Sequence, residues 1–221
     1  MPFNFEEIAY NAKAGRYVRA DGKFVGKEVI RNLVDQEQQR LQVRLQAHTR
    51  LMANQTITLA EWQLRMAESL RDSHLRAGTL GAGGKARTEA QHFGAIGYQL
   101  RRQYQYLDGF AQALHEGKLT REQALRRAAM YADSMNTTFH RAEQISRERE
   151  GFDQALRSLD SSSKHCTQCL AHSTYGEWKP VALVVSPGTD CACQAHCRCS
   201  IAYRRSSRPK PTILNRGTLA A

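Results

Sequence analysis

The sequence predicts a mainly α protein in which long antiparallel helices carry an N-terminal β-hairpin arm and a small, cysteine-rich α+β appendage at the C-terminal end. Three observations predict it. Through most of positions 27–150 apolar residues recur at alternating three- and four-residue intervals, the period of one helix face. A strand-turn-strand signal centred on Asp21-Gly22 precedes them. All six cysteines lie within the 34 positions from Cys166 to Cys199. The chain thus divides into an arm (1–26), a helical domain (27–150), a cysteine-rich region (151–205) and a basic tail (206–221).

The arm opens with a short amphipathic stretch from Phe3 to Tyr10. Asp21-Gly22 then offers the positive φ angles of a tight type I′ turn, flanked by Tyr17-Val18 and Phe24-Val25 as strand-forming pairs. A two-stranded hairpin is barely stable alone, so it is expected to lean on a helix or on another subunit. The first helix, about 28–54, aligns Ile30, Leu33, Val34, Leu41, Leu45 and Met52 on one stripe. The second opens at Thr58-x-x-Glu61, a capping box, and continues with Leu59, Trp62, Met66 and Leu70. Gly78-Thr-Leu-Gly-Ala-Gly-Gly84 reads as a flexible hinge. Lys85 after it suggests a phosphate loop, but the first glycine of that motif is missing and Ala86 replaces the Ser/Thr that would hold Mg²⁺. A third helix, about 86–116, has a seam of Ala90, Phe93, Gly97, Leu100, Tyr104, Leu107, Ala111 and Leu114. A fourth starts at the capping box Thr120-x-x-Gln123 and carries Leu125, Ala128, Ala132, Met135, Phe139, Ala142 and Ile145. The two are expected to pair as an antiparallel hairpin, and such seams also serve self-association between chains.

Charge and composition bound the function. The formal net charge is +11, and 41% of residues are hydrophobic. This combination implies a folded protein drawn to a polyanion, nucleic acid or an acidic protein surface. No run approaches the roughly 18 apolar residues of a membrane span, so no membrane partner is expected. Positive charge gathers near the C-terminus, where Arg204, Arg205, Arg208 and Lys210 are candidate contacts to nucleic acid or a partner. Enzyme signatures are mostly absent: there is no Gly-x-Ser-x-Gly elbow, no His-Glu-x-x-His helix and no complete dinucleotide fingerprint. No catalytic residue is assigned, and the chain is read as a non-enzyme.

The cysteine spacing is Cys166-x2-Cys169, then 21 residues, then Cys191-x-Cys193-x3-Cys197-x-Cys199. Two thiolates two residues apart grip one face of a tetrahedral Zn²⁺, and a second cysteine-rich turn closes the other, so the region reads as a structural zinc knuckle. The competing reading is a three-disulfide staple. It suits a small secreted domain, whereas this chain shows no secretory hydrophobic stretch and about 160 cysteine-free residues. The expected ligands are Cys166, Cys169, Cys193 and Cys197, because a three-residue gap lets the last two turn back onto one ion. Cys191, Cys199, His196 and His165 can stand in for any of them. Tyr175-Gly-Glu-Trp178, the run 181–185 and the turn Ser186-Pro-Gly-Thr-Asp190 are expected to fold as a small hairpin over the metal.

Arg141-Ala-Glu-Gln on a helix, Cys166-Thr-Gln-Cys169, an aromatic stretch with Trp178, a Pro-Gly turn and Cys197-Arg-Cys199 follow one another here. In that order they resemble the C-terminal region of phage minor head proteins of the Mu-F-like head morphogenesis family, over about residues 120–205. That family carries an Arg-Thr-Glu helix where this chain has Ala142, and a His-Pro-x before Cys-Arg-Cys where this chain has Gln194-Ala-His196. Cys193 would then take the histidine's role. The resemblance implies a minor capsid protein found in the virion, within the head or near the portal, and in the host cytoplasm during assembly. Its partners would be the portal or major capsid protein and packaged double-stranded DNA. The alternative is a zinc-dependent DNA-binding protein that uses the knuckle and basic tail on phosphates.

Overall fold

The computed structural model describes residues 7–206 and is mainly helical, with a small sheet at each end of the chain. Strands β1 (Ile8–Asn11), β2 (Arg16–Arg19) and β3 (Phe24–Val25) form an antiparallel sheet in the order β1-β2-β3. Val18 pairs with Phe24, and Arg19 N donates to Lys23 O at 2.9 Å, leaving a three-residue loop from Ala20 to Gly22. In that loop only Gly22 has positive φ (81°). The turn is therefore the longer hairpin type that ends in a left-handed glycine, and the expected two-residue type I′ turn is corrected. The sheet leans on its own chain. Ile8, Tyr10, Tyr17 and Val25 join the main core, and the Tyr17 hydroxyl donates to Leu80 O at 3.1 Å.

Helices α1 (Lys27–Ala53), α2 (Leu59–Ala82), α3 (Ala90–His115), α4 (Arg121–Met130) and α5 (Ser134–Arg149) build the body. Both capping boxes form. Glu61 N donates to Thr58 Oγ1 at 3.2 Å and Thr58 N to Glu61 Oε2 at 2.8 Å; Thr120 and Gln123 repeat the arrangement at the same two distances. The predicted stripes of α1 and α2 are buried from Ile30 to Leu45 and from Trp62 to Leu70. Trp62, fully buried, donates Nε1–H to Thr49 Oγ1 at 3.1 Å and meets the Phe110 ring edge-on at 5.0 Å.

The glycine-rich segment is not a hinge. Helix α2 continues through Gly78 and Gly81 and stops at Gly83, whose φ of 95° closes the helix in the left-handed conformation. A Cβ on Gly81 would stand 2.3 Å from the Phe139 carbonyl oxygen, and one on Gly78 2.4 Å from Ile96. These glycines let α5 and α3 approach α2 closely, a tertiary demand that overrides their poor helix propensity. Past the helix end, Tyr10 N donates to Gly83 O at 2.9 Å and so seals β1 onto the terminus of α2.

Three further expectations are corrected. The core face of α3 is Ile96, Leu100, Leu107, Phe110 and Ala111; Phe93 is exposed, and a Cβ on Gly97 would touch nothing within 4 Å. The fourth helix is two helices joined by a 3₁₀ turn at Tyr131–Asp133. The turn sends α4 against α1 and α5 against α2 and α3, so α3 and the fourth predicted helix do not form a simple hairpin. The second sheet, in the order β5-β4-β6, contains β4 (Gln154–Ser158), β5 (Lys179–Pro180) and β6 (Ser200–Arg204). Residues 181–183 are a 3₁₀ turn and not a strand, so the expected hairpin over the cysteines is replaced by a sheet centred on β4. Among the described residues no helix is long and apolar enough to cross a membrane.

Candidate metal centre

Short local geometry brings the thiols together. Cys166 caps the six-residue helix α6 (Thr167–His172): its Sγ accepts from Cys169 N at 3.4 Å, placing the two cysteines one turn apart. Farther along, Gln194 N donates to Cys191 O and His196 N to Cys193 O, both at 2.8 Å, and Gln194 takes positive φ (41°). These consecutive tight turns fold Cys191, Cys193 and Cys197 back on one another.

The result is a cluster in which the sulfurs of Cys169, Cys191, Cys193 and Cys197 all lie within 4.8 Å of one another. Sγ of Cys169 stands 3.3 Å from that of Cys193 and 3.6 Å from that of Cys197, and Cys193 is 3.3 Å from Cys191. Corners of a zinc tetrathiolate are about 3.8 Å apart, given Zn–S bonds of ~2.3 Å. The four cysteines therefore fit a tetrahedral metal ion with little adjustment. None of the six is in a disulfide.

Relative to the expected ligands, Cys191 enters the compact set and Cys166 lies at its border. The remaining candidates have other partners. His165 Nε2 donates to Asp160 O at 2.7 Å, and His196 is half-exposed with its Nδ1 against the Asp133 carboxylate. Cys199 is buried beside Cys197 and Arg157. Of the basic candidates, Arg204 donates to Gln154 Oε1 at 2.6 Å and covers the Trp178 ring at 4.4 Å. Arg205 donates to Glu150 O at 2.9 Å and covers Phe152 at 4.2 Å. Arg208 and Lys210 lie outside the described residues.

The most informative residue of the site is one that spacing did not reveal. Arg157, on the inner face of β4, is fully buried. Its Nη1 donates to Val185 O at 2.8 Å, and its Nη2 lies 3.6 Å from the sulfurs of both Cys169 and Cys197. Burial pulls the guanidinium pKa down, but the sulfurs of Cys199, Cys197 and Cys169 outweigh it and hold the group charged. In turn the Cys197 thiol, which accepts from Cys199 with Arg157 beside it, is lowered to about 4 despite burial. Burial instead pushes Cys169 up to about 11. At Cys166 burial raises the pKa, yet hydrogen bonds from Cys169 and Cys193 prevail and bring it to about 6. The cluster thus favours thiolate, the ligand form, at some of its members even before a cation enters.

The Arg141–Gln144 motif explains how the centre attaches to the body. Gln144, buried on α5, donates to Val184 O at 3.2 Å and accepts from the Ser186 hydroxyl, clamping the loop that leads to Cys191. Two turns earlier, Asn136 Nδ2 donates to Cys197 O at 3.1 Å. Nearby, Glu143 pairs with Arg147 at 3.4 Å; Arg147 lies on the Tyr10 ring at 3.3 Å and reaches Glu150 at 3.3 Å, tying the N-terminal sheet to the same helix.

The fold and site together define a mainly helical protein bearing a cysteine cluster able to bind a metal ion. No family model, curated protein or solved structure matches the chain.

Proposed function

We propose that this protein is a structural, non-enzymatic minor head component of a tailed phage, stabilised by Zn²⁺ held on Cys169, Cys191, Cys193 and Cys197. The observation that carries the reading is the four-sulfur cluster, all within 4.8 Å, clamped by Gln144 of the Arg141–Gln144 motif. Soft thiolates at tetrahedral separations suit zinc, and four protein sulfurs fill its coordination without leaving a position for substrate. When bound, the ion supplies cross-linking across a segment that has a small apolar core of its own, Ala155, Val181, Val184 and Ile201. Arg157 offsets part of the negative charge that four thiolates retain after binding a dication.

The assembly role rests on the resemblance together with the helical scaffold and the +11 charge. Metal analysis of protein purified under reducing conditions, with thiol counting before and after chelation, tests the centre: bound zinc and protected thiols are expected. Quantitation of the protein in purified particles tests the role, and mature particles lacking it would end the proposal. The DNA-binding alternative predicts binding in free solution that weakens steeply with salt. The intramolecular contacts of Arg204 and Arg205 weigh against those two as its main phosphate contacts.

A further inference from the structure

We infer that the cysteine cluster holds two zinc ions, sharing Cys169 and Cys193 between them. This deepens the metal reading above and rests on it: a single ion takes the compact set of Cys169, Cys191, Cys193 and Cys197, and a second ion redistributes the ligands so that Cys191 and Cys197 serve different ions. The inference starts from the two thiols that a single tetrahedral ion does not use. Neither points away from the cluster. Sγ of Cys166 accepts from Cys169 N at 3.4 Å and also contacts Cys193. The thiol of Cys199 is buried and contacts Cys197.

The six sulfurs form a connected set with a definite middle. Cys193 touches Cys191, Cys166 and Cys169. Cys169 touches Cys193, Cys166 and Cys197. Cys169 has contacts on both flanks, and Cys193, against Cys191 and Cys166 on one side, stands within 4.8 Å of Cys197 on the other, the position a bridging thiolate requires. Shared between two ions, they leave Cys166 and Cys191 to complete one tetrahedron and Cys197 and Cys199 to complete the other. Each ion then has four sulfur ligands, and all six cysteines are used.

Charge supports the count. One Zn²⁺ with four thiolates carries −2; two Zn²⁺ with six thiolates also carry −2. The second ion thus recruits the two remaining sulfurs as thiolates with no added net charge for Arg157 to offset. The spacing agrees. Residues in Cys-x-Cys sit too close along the chain to serve distant sites, and here both such pairs, 191/193 and 197/199, join one cluster with Cys166-x-x-Cys169.

The test is native mass spectrometry of the full chain, reconstituted with excess Zn²⁺ under reducing conditions, alongside ¹¹³Cd NMR of the cadmium-loaded protein. Two ions per chain and two ¹¹³Cd resonances in the sulfur-ligand range are expected. Cys166→Ser and Cys199→Ser should each reduce the stoichiometry from two ions to one. One ion with all six thiols present would overturn the two-ion inference and leave the metal centre standing. No bound ion would overturn both. The unmutated ¹¹³Cd spectrum decides the matter even where a serine variant does not fold.

Discussion

At the scale of single residues, buried polar groups in this protein each have a task that can be read from their partners. Arg157 is the clearest. With zinc bound it faces a net negative thiolate set, so Arg157→Met should weaken zinc by about 10–100-fold, the usual effect of removing a group that supports metal ligands. Arg157→Lys should fall between, since an ammonium cannot span Val185 O and two sulfurs as the planar guanidinium does. Chelator competition measures both, and unchanged affinity in the methionine variant would refute the role. His74 has the opposite character. The Ser134 hydroxyl donates to Tyr131 O, so it accepts from His74 Nε2–H, and Nδ1 accepts from Thr138. The ring is therefore neutral, and burial lowers its pKa from 6.5 to about 4. A depressed histidine contributes stability that is complete above about pH 6.5 and lost as pH falls through about 4, on the order of 3 kcal/mol. Denaturant titrations at stepped pH should show a shallower acid limb for His74→Gln, which keeps hydrogen bonding but does not titrate.

At the scale of elements, the close packing of α2 on α5 sets what each glycine is for. Gly81→Ala would drive a Cβ into the Phe139 carbonyl, a backbone atom with little room to retreat, and should destabilise by about 1–3 kcal/mol. Gly109, inside α3 with nothing within 4 Å of its added Cβ, is the contrasting case. There Gly→Ala should stabilise by about 0.5–1 kcal/mol through helix propensity alone. Urea melts of the two variants check the opposite signs. If both substitutions stabilised, the glycines of α2 would be ordinary helix residues and the close approach unimportant.

For the whole molecule, α5 is the beam on which both small sheets meet the helical body: Arg147 holds the N-terminal sheet, while Asn136 and Gln144 hold the cysteine region. The main core runs through the N-terminal sheet and helices α1 to α5, whereas the C-terminal sheet has a separate small apolar cluster. Chelation should therefore loosen 154–204 first. Hydrogen exchange is expected to accelerate there while α1, α2 and α3 keep their protection. A uniform loss of protection across the molecule would instead make the metal part of one cooperative unit.

Local chemistry legible in the sequence determined the mainly helical character of the body, two capping boxes, the hairpin signal at Gly22 and the clustering of cysteines, because each depends on residues within a few positions of one another. Tertiary structure decided what depends on partners distant in the chain. Gly78 and Gly81 remain helical because α3 and α5 need the space, and α3 turns Ile96 inward because of what packs on it. Cys191 joins the compact sulfur set through two tight turns that spacing does not encode. Arg157 was invisible as one arginine in a five-residue strand; only the fold buries it 3.6 Å from sulfurs supplied by α6 and the Cys197 turn. Periodicity records which face of an element is apolar, but the partner of a buried charge is settled only when the chain closes around it.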